Sequence, residues 1–300
     1  MEVDKKQNLK AFLYLLPSLL FLAVFMVYPL IDVFIYSFEE NFQTVTQQYT
    51  GIGFENYIYV LNNKYFLDSI KNTFIIVFIT VPLSTTIALL VALGLNSIKP
   101  LKKVFQTIFF MPYVTNTLAV GLVFMIMFKK VDDTSIGLAN TFLSWFGVSP
   151  IDFIDGPYWA KMFVLCFYIT WNVMPFKILV LVGALQNVDP LLYQAASVDG
   201  ASKSRQFFKI TLPMISPMVF YLIITGFIGA FKEYNNAVAI FGTDLDSAGM
   251  NTIVGYVYNM LYLETGGYPS YASAAAIILF FIVLTITGIN LLISKKNVHY

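Results

Sequence analysis

Long apolar runs alternate with short polar stretches along this chain, at roughly Ala11–Phe38, Ser69–Leu95, Val104–Phe128, Tyr158–Gln186, Met214–Phe241 and Tyr271–Ile293. Each can carry an α-helix across a bilayer core, which takes about 20 apolar residues. None alternates with the period of two expected of a barrel strand, and backbone polar groups in lipid need a helix or a closed barrel. The pattern predicts an all-α integral membrane protein with six transmembrane helices. The first run is longer than the apolar part of a cleavable signal, contains Pro17 and Pro29, and leads into no small-x-small cleavage pattern, so it reads as a span.

Composition agrees. Hydrophobic residues make up 58% of the 300 and charged residues only 12%, whereas a soluble domain carries about 25% charged residues. The lone cysteine, Cys166, falls inside the fourth run, and the lone histidine, His299, lies beside the C-terminus. These offer neither a disulfide framework nor a metal-ligand spacing, and they argue against histidine-based catalysis. No metal, cofactor or nucleic-acid partner is expected. No Gly-x-x-x-x-Gly-Lys-Ser/Thr pattern occurs, so any ATP is bound by another protein.

Loop charge sets the orientation. With the N-terminus inside, the inner segments hold Lys5, Lys6, Lys10, Lys99, Lys102, Lys103, Lys203, Arg205, Lys209, Lys295 and Lys296. The outer loops hold only Lys64, Lys129 and Lys130, with Lys71 and Lys161 at outer helix ends, and are otherwise acidic, with Glu39, Glu40, Glu55, Asp132, Asp133, Asp244 and Glu264 among them. Both termini and the polar stretch 190–213 are therefore expected in the cytoplasm. Tyr57, Tyr59, Tyr65, Phe66, Tyr158 and Trp159 lie in or beside the outer loops, as an interfacial belt or as part of a docking surface for an external protein.

The stretch 190–213 reads PLLYQAASVDGASKSRQFFKITLP. Asp189 suits an N-cap, Pro190 the first helical position and Gly200 the left-handed residue that ends a helix. Leu191, Ala195 and Val198 then share one face, with Leu192 and Ala196 beside it. Ser202 is placed to cap a second helix through Phe207 and Phe208. Helix signals alone fit an interfacial amphipathic connector as well as a docking element.

The same stretch resembles the cytoplasmic coupling loop of ABC importer permeases, Glu-Ala-Ala-x-x-x-Asp-Gly-Ala followed by Ile-x-Leu-Pro. Ala195-Ala196, Asp199-Gly200-Ala201 and Ile210-Thr211-Leu212-Pro213 stand at that spacing, with Gln194 where the glutamate usually stands. Leu16-Pro17-Ser18, Tyr28-Pro29-Leu30, Phe54-Glu55-Asn56-Tyr57, Lys71-Asn72-Thr73, Gly183-Ala184-Leu185-Gln186 and Phe231-Lys232 extend the likeness along the chain. The whole is similar to carbohydrate permeases of the maltose-transporter type, and most like the larger, first member of the pair. The resemblance implies the type I importer permease fold over residues 1–300 as one transmembrane domain in the cell membrane. It also implies a second, related permease, two cytoplasmic ATPase subunits, an extracytoplasmic solute-binding protein and a sugar substrate. Gln194, Ala195, Ala196, Asp199, Gly200 and Ala201 would meet the ATPase, and this chain would catalyse nothing itself.

Polar residues inside the spans are expensive and tend to face a cavity or bundle interior. Lys177 falls about 18 Å, at 1.5 Å per residue, from the inner end of the fourth run. By position, Asn172, Val173 and Phe176 in the fourth run and Phe231, Lys232 and Asn235 in the fifth match residues that touch sugar in the maltose-type subunit. Lys177 and Glu233 join them as candidates. Two other uses stay open: Lys232 and Glu233 as an ion pair or at the interface, and Asn172 as a hydrogen bond to a partner helix. A polyol, a glycerol phosphate or an acidic sugar is an alternative substrate. A secondary transporter acting alone is a further alternative, which leaves the loop pattern without a purpose.

Overall fold

The computed structural model describes residues 5–43, 46, 48–98, 102–130, 137–262 and 268–297. Lys99, Asp132, Asp133, Glu264 and His299 lie outside them, as do the side chains of Lys5, Lys6, Lys102, Lys103 and Lys296. The chain forms two compact units, Met1–Phe66 with Tyr256–Phe280 and Leu67–Gly255 with Phe281–Tyr300.

Among the described residues, five helices are long and apolar enough to cross a membrane: Phe12–Phe38, Lys64–Ser97, Tyr158–Gln186, Lys203–Phe231 and Pro269–Lys295. They correspond to the first, second, fourth, fifth and sixth of the expected spans. The third apolar run departs from the expected straight helix. It is broken into Val104–Val114 and Thr117–Phe128, bent by 97°. The cause is local: the Asn116 side chain accepts hydrogen bonds from the Leu118 and Ala119 amides at 2.9 and 3.3 Å and so caps a new helix. Thr115 meanwhile donates its hydroxyl to the Pro112 carbonyl.

The fifth run departs too. Its helix stops at Phe231, and a separate helix, Asn235–Phe241, follows the break. Two π-helical turns, Ala23–Val27 and Phe207–Thr211, stand just ahead of Pro29 and Pro213. A proline ring clashes with the carbonyl four residues back, and a wider turn accommodates that mismatch. Among the described residues the expectation of helices holds, apart from a short antiparallel pair, Glu39–Glu40 with Gly51–Ile52, and an isolated bridge between Gln43 and Gln48.

In the first unit, buried Asn56 donates from Nδ2 to the Ser37 and Glu39 carbonyls at 3.0 and 3.1 Å. The Ser270 hydroxyl accepts from the Phe42 amide and donates to the Glu39 carbonyl. Tyr59 stacks on Tyr271 with ring centres 4.1 Å apart.

In the second unit, the fourth span is central, burying Leu165, Tyr168, Ile169, Ile178 and Leu181. The Tyr168 hydroxyl donates to the Thr117 carbonyl at 2.6 Å. Asn72 is buried and ties three segments together: it donates to the Gly249 and Asn251 carbonyls and accepts from the Tyr158 hydroxyl at 2.8 Å. Thr73, its neighbour, accepts from the Ile253 amide. The Lys71-Asn72-Thr73 motif thus has a structural use.

Candidate functional site

The second, broken third, fourth and fifth spans enclose a cavity of about 540 Å³. Binding pockets for small molecules run to about 300–1,000 Å³. The fourth span contributes Ile169, Asn172, Val173, Phe176 and Lys177. These positions are three or four apart and share one helix face. Thr115 and Thr117, at the break of the third run, and Pro112 and Tyr113 before it form a second wall. The Tyr113 and Phe176 rings stack with centres 5.7 Å apart and planes inclined by 23°. The wall therefore offers an aromatic face beside an amide and several hydroxyls.

One lysine and one glutamate border the cavity, and both are held by neutral partners. Lys177 is 4% exposed; its Nζ donates to Ser84 Oγ at 2.7 Å, Thr85 Oγ1 at 2.8 Å and the Val81 carbonyl at 3.4 Å. Thr85 turns its own proton back to the Val81 carbonyl, leaving lone pairs for the ammonium. Glu233 lies in the break after the fifth span. Its Oε1 accepts from the Asn236 amide at 2.9 Å and its Oε2 from Asn236 Nδ2 at 2.8 Å, which caps the helix Asn235–Phe241. An ion pair with Lys232 is not what holds it.

Of the sequence-predicted substrate residues, Asn172, Val173, Phe176, Lys177 and Glu233 come together here. Phe231, Lys232 and Asn235 do not. Phe231 ends the helix off its cavity-lining face and is buried edge-on against Phe74, while Lys232 and Asn235, in and after the break, are exposed. Thr80, Ser84, Tyr113, Thr117, Thr225 and Gly229 also line the cavity and were missed from sequence. The one available signal was the polar Ser84-Thr85-Thr86 interruption in the second apolar run.

The stretch 190–213 forms the helix Pro190–Val198, capped by Asp189, whose carboxylate accepts from the Leu191 amide at 2.8 Å. Gly200 takes φ +72°, and the Ala201 amide reaches the Ala196 carbonyl while the Gly200 amide reaches that of Ser197. This is the Schellman closure, which calls for glycine at the left-handed position. Ser202 caps the next helix by accepting from the Arg205 amide. Gln194, Ala195, Asp199 and Gly200 are exposed; Ala196 and Ala201 are half-buried. Leu191 and Val198 are 64% and 89% exposed, so the helix turns apolar surface outward. Two bonds brace it on the base of the fifth span: Tyr193 and Thr211 share a hydrogen bond at 2.9 Å, and Gln206 Nε2 donates to Ser197 Oγ at 3.0 Å.

Residues 84–297 match the family described as the binding-protein-dependent transport system inner membrane component. The chain belongs to this family. It is 31% identical to the arabinooligosaccharides transport system permease protein AraP of Bacillus subtilis (strain 168), covering 94% of this chain and 88% of that protein. It is 29% identical to the sulfoquinovosyl glycerol transport system permease protein SmoG of Agrobacterium fabrum, covering 98% and 93%. The fold is that of a chain in the crystal structure of a bacterial ABC transporter for the acidic polysaccharide alginate, with TM-score 0.82, 23% identity and coverage of 98% and 97%. The protein is thus a multi-pass permease subunit of a binding-protein-dependent transport system in the cell membrane, itself non-catalytic.

Proposed function

We propose that this chain is the first, larger-type permease of a maltose-type pair and imports a sugar or oligosaccharide. A second permease completes the pathway, and an extracytoplasmic binding protein delivers the solute. Two ATPase subunits serve the pair through the coupling loops, and in this chain the contact is made by Gln194, Ala195, Ala196, Asp199, Gly200 and Ala201 of the cytoplasmic stretch 190–213, with both termini on the same side. One observation carries the solute reading: the stacked Tyr113–Phe176 pair in a cavity that Asn172, Thr117 and Thr225 also line. Sugars are held by aromatic faces and neutral hydrogen-bonding groups. In the proposed cycle, ATP-driven closure pushes on the 190–198 helix, and rigid-body rocking moves the cavity between the two faces of the membrane. Asn172, Val173, Phe176, Lys177 and Glu233 contact the solute weakly in transit. Phe231, Lys232 and Asn235 remain candidates in a state where the break has moved.

A second reading has its own support. The buried Lys177 ammonium on the cavity wall favours an acidic sugar or a glycerol phosphate over a neutral oligosaccharide. The test is uptake by the assembled importer in proteoliposomes, with and without ATP and binding protein, for neutral and uronate oligosaccharides. Transport by this polypeptide alone, indifferent to nucleotide, defeats the proposal.

A further inference from the structure

We propose that Gly229 sets the size of the solute that the cavity admits; the inference rests on the cavity being the translocation path. On the fifth span Leu222, Thr225, Gly226, Gly229 and Ala230 line the cavity at intervals of one or three residues, so they occupy one helix face. The two glycines on that face do different things. A Cβ at Gly226 would stand 3.1 Å from Val81 Cγ1 and 3.4 Å from Lys177 Nζ. Gly226 is small because the second and fourth spans pack against it. A Cβ at Gly229 would meet nothing within 4 Å. Its backbone is helical, with no positive φ that requires glycine, and glycine weakens a helix interior relative to alanine. No contact among the described residues calls for a bare backbone there. What the missing side chain leaves is open volume at the cavity wall. A Cβ at 229 would enter that volume clear of its neighbours, whereas one at 226 would already meet the Lys177 cluster. Gly229 is therefore the position where width is adjusted separately from packing.

The competing use is close approach of the partner permease, since small residues let membrane helices come together. The experiment separates the two in the assembled importer. Gly229→Ala, Gly229→Leu and Gly229→Phe are compared for ATPase stimulation by ladders of maltodextrins and arabino-oligosaccharides, from disaccharide upward, delivered by the binding protein. In parallel Gly229→Cys is treated with methanethiosulfonate reagents of graded bulk, against a background in which the natural Cys166 is buried. Filling the wall is expected to lower the ratio of long- to short-chain stimulation about tenfold or more, the scale of pocket discrimination by added methylenes. Gly229→Cys is expected to react with the small reagent and to exclude the bulky one. An equal loss at every chain length, or a thiol that no reagent reaches, overturns the proposal. So does a ladder left unmoved in a transporter that still requires ATP. If neither ladder stimulates the wild type, the thiol result decides alone. Nucleotide-independent uptake by the wild type would sink the importer reading itself, a result distinct from these.

Discussion

The Lys177 ammonium of the fourth span lies 2.7 Å from the Ser84 hydroxyl of the second. This pairing joins two helices across the wall of the cavity, and it does so with a full charge on one side and none on the other. Breaking a buried charge's partners costs more than removing the charge, because the charge is left without compensation.

Ser84→Ala with Thr85→Ala is therefore expected to destabilise the protein more than Lys177→Met. Each hydrogen bond to a charged group is worth about 1.5–3 kcal/mol. Lys177→Met leaves the Ser84 and Thr85 hydroxyls bonded within their own helix. Thermal unfolding in detergent checks the order of the three; a Lys177→Met protein less stable than the double variant contradicts it.

Glu233→Ala is expected to cost about 0.5–2 kcal/mol, the usual loss of a helix cap. Glu233→Gln should be milder. The buried Oδ1 of Asn236 has no partner, and turning that amide over lets it accept from the new glutamine nitrogen. Melting temperatures of both variants decide this, and equal losses speak against the cap.

On the helix Pro190–Val198, Leu191→Asp and Val198→Asp should leave the stability of the subunit nearly unchanged, because both side chains are already exposed. Co-purification of the ATPase subunits should fall sharply. Gly200→Val should behave differently: forcing a branched residue into φ +72° costs about 1–2 kcal/mol and should loosen the end of the helix itself. Undiminished ATPase recovery in the two aspartate variants would remove the docking role.

Tyr193→Phe cuts the bond to Thr211, a loss of about 0.5–1.5 kcal/mol, and loosens the helix from the base of the fifth span. Assembly should survive while ATP consumed per solute rises. Paired measurements of uptake and hydrolysis in proteoliposomes check that ratio.

Legibility followed the range of the signal. The spans were plain because each is a long run of one solvent preference. The helix Pro190–Val198 was plain because Asp189, Pro190 and Gly200 are local signals whose meaning does not depend on neighbours. The break at Thr115–Asn116 was hidden because a single capping residue inside an apolar run looks like an ordinary polar interruption. Lys232 and Asn235, in and after the break that follows Phe231, are exposed, and nothing in the spacing warned of it. Lys177 was found as a misplaced charge, but its partners lie more than ninety residues away, beyond any pattern along the chain.

The sharp turn at Thr115 and Asn116 has a consequence for what fills the lumen. Peptide groups outside a helix cannot face hydrocarbon; at bilayer depth they are tolerated only against protein or a watery space. Both flanking threonines, Thr115 and Thr117, open onto the cavity. A chamber that stays wet when empty of cargo satisfies these peptide groups, and on the proposed route the barrier against leaking ions would then be built elsewhere.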